Sequence, residues 1–151
     1  MSTLEKRLHD DLTESIRARD EIRSATLRMA LTAVKNEAVS GTEARELSDA
    51  EVVTVLGREA KKRREAATAY DAAARPELAA RERAELVVIE GYLPAQLDDA
   101  ELAALVAAAI AETGADSPKA MGQVMKVLTP RVAGRADGGR VAAAVKAALA
   151  G

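Results

Sequence analysis

Apolar residues recur along this chain at helical rather than strand spacing. Leu4, Leu8, Leu12 and Ile16 form a stripe at steps of four, and Leu27, Leu31, Val34 and Ala38 form a second at four, three and four. Ser40-Gly41-Thr42 interrupts the pattern. Ser48 and Glu51 then make an S-x-x-E capping box that opens a long helix through Val52, Leu56 and Ala60 towards Tyr70. Arg75-Pro76 ends or kinks that helix, because a residue before proline is driven out of the helical region. A fourth helix follows, with Leu78, Leu86, Ile89 and Leu93 on one side.

Gly and Pro in Gly91-Tyr92-Leu93-Pro94-Ala95-Gln96-Leu97 punctuate a pattern that is regular on both sides, which makes this segment a boundary. Asp98 and Glu101 repeat the capping box for a helix carrying Leu102, Leu105, Val106 and Ile110, and Gly114 closes it. Ser117-Pro118 reads as an N-cap followed by proline at the first helical position. Pro130 limits the next helix, and Asp137 caps the last. There is no strand-like alternation and no tandem repeat. The expected fold is all-α, with about four helices in residues 1–93 joined to a three-helix part in residues 94–151.

Composition narrows the chemistry. Apolar residues make up 48% of the 151, with Ala the commonest and no Phe, Trp or Cys, so the core depends on close helix–helix approach. Without Cys, a disulfide, a thiolate metal site and a thiol nucleophile are excluded, and one His, His9, cannot make a multi-His metal site. No apolar run approaches the roughly 18 residues of a membrane span. The start MSTLEKRLHDD lacks a basic and then apolar signal. The expectation is a soluble cytoplasmic chain with no membrane contact, metal or cofactor.

Charge is distributed unevenly. From Ser117 to Gly151 there are six Lys/Arg (Lys119, Lys126, Arg131, Arg135, Arg140 and Lys146) and one acid, Asp137, a net +5; residues 1–116 therefore carry −7 of a total of −2. Taken as one α-helix, Lys119, Gln123 and Lys126 share a face, opposite Met121, Val124, Met125 and Leu128. These cations suit a nucleic-acid backbone, or equally a solvated surface. No aromatic residue lies among them, so base stacking is not expected. Gly134-Arg135-Ala136-Asp137-Gly138-Gly139 leads into a helix N-terminus, where amide groups could cradle phosphate. Asp137 at the N-cap would occupy those donors, however, and tight helix packing through glycine is the favoured role.

The remaining candidates read as structural. Lys61-Lys62-Arg63-Arg64 spans a full turn beside Glu59 and Glu65, as a solvated helix surface does. Glu82, Glu85 and Glu90 lack the setting of an acid–base pair, and His9 has no triad partner. Tyr70 and Tyr92 are expected to anchor helix ends with their hydroxyls reaching water. No catalytic residue is predicted.

Three segments, Glu90-Gly91-Tyr92-Leu93-Pro94-Ala95-Gln96-Leu97, Met121-Gly122-Gln123-Val124-Met125-Lys126 and Gly134-Arg135-Ala136-Asp137-Gly138-Gly139-Arg140-Val141, strongly resemble the YqeY-like family. Arg28-Met29 and Asn36-Glu37 extend the resemblance over nearly the whole chain. The family shares a domain with the C-terminal tail of the GatB subunit of tRNA-dependent amidotransferase. The resemblance implies four helices followed by three, and a tail implicated in holding tRNA while the chemistry resides in other parts that this chain lacks. It implies Lys126 and Arg135 as RNA contacts. It also implies Tyr92, Leu93, Pro94, Gly122, Gly134, Asp137, Gly138 and Val141 as structural positions of the motif. A carbon–nitrogen ligase label would rest on the shared domain alone. The expected function is a tRNA-binding or translation-associated module without catalysis of its own. The alternatives are a protein-interaction adaptor, or an accessory subunit of an amidotransferase or aminoacyl-tRNA synthetase.

Overall fold

Side-chain caps set the helix starts. In the computed structural model, which describes residues 1–150, Ser2 accepts a hydrogen bond from the Glu5 N–H at 3.2 Å and opens α1 (Thr3–Arg17). Asp20 does the same for Arg23 at the start of α2 (Glu21–Ala38). Ser48 and Glu51 form the reciprocal box foreseen for α3 (Asp49–Ala72). Pro76 stands at the first position of α4 (Pro76–Glu90). Among the described residues every regular element is helical: the fold is all-α.

Two helices end on left-handed residues that are not glycine. After α1, the Asp20 N–H bonds to the Ser15 carbonyl and the Arg19 N–H to Ile16. After α3, Arg75 bonds to Tyr70 and Ala74 to Asp71. Both are Schellman arrangements, with φ of 57° at Arg19 and 56° at Ala74.

The chain divides into two compact units, Met1–Leu93 and Pro94–Gly151. In the first, Leu8, Leu27, Val34, Val52, Leu56 and Ile89 are fully enclosed between α1, α2, α3 and α4. The α1 stripe drifts on its way: residues four apart rotate by about 40° per step around a helix of 3.6 residues per turn. Ser15 therefore takes the inward position and Ile16 is exposed. On α4 the buried positions are Ala79, Glu85 and Ile89, while Leu78 faces outward.

In the second unit Asp98 caps α5 (Asp99–Thr113), which ends on Gly114 at φ 67°. A short 3-10 turn, Pro118–Ala120, precedes α6 (Met121–Val132), and α7 spans Gly138–Ala150. Leu102, Val106, Val124, Leu128, Val141 and Val145 form the core. Pro130 does not end α6, which continues two residues beyond it. A proline in the last turn removes a single helical N–H, and the Thr129 hydroxyl bonds back to the Met125 carbonyl.

Candidate functional site

The C-terminal unit clasps its own first segment. The Leu97 N–H donates to the Arg135 carbonyl at 2.8 Å, and Gln96 Nε2 donates to the Gly134 carbonyl at 2.9 Å. Arg140 completes the clasp, with Nη1 on the Leu97 carbonyl and Nη2 on Asp99, both at 2.7 Å. The Pro94-Ala95-Gln96-Leu97 and Gly134-Arg135 segments, far apart in sequence, are thus two sides of one contact. Gly134 turns the chain there at φ 73°, a region that favours glycine.

The positive charge of residues 117–151 is opposed within the same unit. Residues 94–116 hold five acids and no Lys or Arg, so residues 94–151 carry six of each sign. All three arginines meet α5 or its start. Arg131 makes a two-pronged pair with Glu112, Arg135 lies 3.9 Å from Glu101, and Arg140 holds Asp99. The Arg131 guanidinium lowers the Glu112 carboxyl below the usual carboxylate range, and Glu112 in turn raises Arg131. The three lysines differ. Lys119, Lys126 and Lys146 are exposed, and none is within ion-pair distance of a carboxylate among the described residues. Lys119 lies in the 3-10 turn and Lys126 on α6, so they do not share one regular α-helical face.

Within the glycine segment, the N-cap of α7 is filled by the protein's own carboxylate. Asp137 accepts from the Gly139 N–H at 3.1 Å, as an N-cap does. The close-packing role expected of Gly138 is also missing, since a Cβ at Gly138 or at Gly122 would meet nothing within 4 Å. Val141, by contrast, is in the core.

In the first unit, two expectations change. Tyr92 is buried, and its hydroxyl is engaged by charged side chains of α1 and α2. It donates to Asp11 at 2.5 Å and accepts from Arg23 Nη2 at 3.0 Å, while the Arg7 guanidinium lies 4.6 Å from the ring centre. Burial, reinforced by the bond to Asp11, pushes its pKa up to about 12. Leu93 packs against the same core.

Arg63 is not a solvated residue of a charged face. Its side chain is 5% exposed, between Glu59 and Glu85, whose side chains are each 10% exposed. Spacing does carry a signal for this cluster: Arg63 follows the core positions Leu56 and Ala60 by seven and three residues, which is inward on a helix. The Glu85 carboxylate also takes the Arg81 Nε–H at 3.0 Å. Lys61 and Lys62 do point outward.

Seven α-helices among the described residues, divided between two units, with a clasped segment in the second, define the class of protein. The family model described as Yqey-like protein matches residues 5–149, and the chain belongs to that family. No curated protein matches it. Among the described residues no helix is long and apolar enough to cross a membrane, and no group of three or more His, Cys, Asp or Glu side chains could hold a metal ion.

Proposed function

We propose that the chain is a non-catalytic module that binds the backbone of tRNA, acting in translation in the cytoplasm, through Lys119, Lys126 and Lys146 of its C-terminal unit. One observation carries this reading: in a unit of balanced charge, the arginines are paired and the lysines are left exposed without carboxylate partners. Lysine is a mobile point charge suited to phosphate contact without base readout. Arg131 and Arg135, held by exposed carboxylates, contribute by exchanging those partners for phosphate. Arg140 is committed to Leu97 and Asp99 and stands behind the surface rather than on it.

The test is equilibrium binding to deacylated tRNA at low salt, with single lysine-to-alanine variants and Arg140→Ala. Each lysine variant is expected to bind several-fold more weakly at unchanged melting temperature. Arg140→Ala is expected to lower the melting temperature first. No binding by the wild type at low salt overturns the reading.

A second reading, an adaptor on amidotransferase or synthetase subunits, draws on a different feature. Leu102, Val106, Ile110, Ala143, Ala144 and Ala148 line an open groove of about 740 Å³ between α5 and α7. Ala144→Arg would block docking there and leave tRNA binding intact. Co-sedimentation with purified subunits, in the absence of RNA, distinguishes the two readings.

A further inference from the structure

Buried arginines are ordinarily saturated with acceptors, because each unpaired N–H far from water is costly. Arg63 is not saturated. Its Nη1 donates to the Glu59 carbonyl at 3.1 Å, but its Nε finds no hydrogen-bond acceptor. A Glu85 carboxylate oxygen stands 3.6 Å from Nε, and one of Glu59 stands 3.8 Å from Nη1. Its Nη2 points to the Met29 sulfur at 3.6 Å, a weak acceptor for a guanidinium. Nine-tenths-buried Glu59 is likewise incomplete: Oε2 has Lys62 Nζ at 3.2 Å yet makes no hydrogen bond.

Arg63 stands behind Met29, which lines an open groove of about 550 Å³ between α2 and α3. Met29, half exposed, and Glu59 are part of its wall, as are Arg28, Asn36, Arg58 and Lys62. Arg28 is exposed, and no carboxylate among the described residues pairs with it. Arg58 is shared with Glu37 at 3.4 Å. The wall thus holds three cations and two carboxylates, with the under-bonded Arg63 behind Met29. Met is the side chain most easily moved aside, being unbranched and flexible.

We propose that this groove is a binding site for a phosphate group, held by Arg28 and Lys62 at the rim and by Arg63 Nη2 once the Met29 thioether swings away. Phosphate fits better than a carboxylate because its several oxygens can take donors from three separate cations at once. The Asn36 carboxamide, exposed and without a hydrogen bond among the described residues, is placed to meet whatever the phosphate is attached to. The site is independent of the lysines proposed to meet tRNA, which belong to the other unit.

The test uses the full chain and follows the Met29 methyl resonance by NMR at constant ionic strength, with inorganic phosphate, adenosine monophosphate and adenosine as probes. Phosphate and the nucleotide are expected to move Met29 saturably by about 10 mM, the range in which a few exposed charge-assisted contacts hold a small anion. Arg28→Ala and Lys62→Ala, both at exposed positions, should each weaken that binding about five- to tenfold. Tighter binding of the nucleotide than of inorganic phosphate marks a phosphate monoester as the ligand; equal binding marks phosphate alone. The inference is overturned if Met29 does not respond saturably, if the response is unaltered in both variants, or if adenosine binds as well as its monophosphate.

Discussion

At the scale of single residues, two charged or polar side chains inside the first unit decide how it responds to substitution and pH. Tyr92 holds Asp11 and Arg23 together through one hydroxyl. Tyr92→Phe is expected to cost about 1–2 kcal/mol, the range for a part-buried hydrogen bond to a charged group, measured by urea unfolding. Its pKa, raised from 10.0 to about 12, means that the folded state holds the phenolic proton more tightly than the unfolded one. The stabilisation is therefore complete below pH 10 and lost as pH rises towards 12. Alkaline unfolding monitored in parallel by tyrosinate absorbance checks this, and the pH-dependent loss should be absent in Tyr92→Phe. Arg63→Met leaves Glu59 with Lys62 and Glu85 with Arg81 as their remaining cations, and is expected to cost about 1.5–3 kcal/mol by the same unfolding measurement. In the sequence Arg63 is hidden by its neighbours: Lys61, Lys62 and Arg64 make the run look like a solvated surface. Its inward position follows from the phase of Leu56 and Ala60, which a count of charges does not register. Tyr92 was legible as an anchor, but its partners on α1 and α2 come from 81 and 69 residues away.

At the scale of elements, starts were easier to read than ends. Ser48–Glu51 and Asp98 announce their helices with side chains that bond three residues ahead, and the structure has those bonds. Ends depend on backbone conformation. Gly114 was recognisable because glycine readily takes positive φ, but Arg19 and Ala74 hold the same conformation without any glycine to signal it. Ala74→Gly is therefore expected to stabilise the chain by about 0.5–1 kcal/mol, by relieving a left-handed residue within a Schellman turn. The C-terminal glycines predict the opposite pairing. Gly134→Ala forces a Cβ onto φ 73° and should destabilise by about 1 kcal/mol or more, with loss of the Gln96 contact. Gly138→Ala, where a Cβ meets open space at a helix start, should be neutral or slightly stabilising. Thermal melts of the three variants check all three signs. Pro130 illustrates the remaining ambiguity: a proline marks a helix limit in sequence, but its cost in the last turn is small enough for the helix to run past it.

At the scale of the whole molecule, charge totals along the chain and charge pairing in the fold give different pictures. The +5 of residues 117–151 is visible in the sequence, but three of the five acids of residues 94–116, Asp99, Glu101 and Glu112, fold against it. Periodicity says which residues face inward on a helix; it does not say which helix an arginine will reach. Hence the six cations looked equivalent, whereas the arginines tie α6, α7 and the turn between them to α5 or its cap, and the lysines are left over. This division is the centre of the functional account, since only charges without a protein partner add phosphate contacts at no cost in lost pairs. The most direct measurement is the affinity of the full chain for deacylated tRNA across a salt series. It compares the wild type with a Lys119→Ala/Lys126→Ala/Lys146→Ala variant of the same melting temperature. With each phosphate contact adding about 0.9 to the logarithmic slope, the three lysines account for about 2.5 to 3 of the wild-type slope, and the variant is expected to flatten by that amount, leaving only what Arg131 and Arg135 add. No binding at low salt, or a slope that the triple variant leaves unchanged, would contradict it.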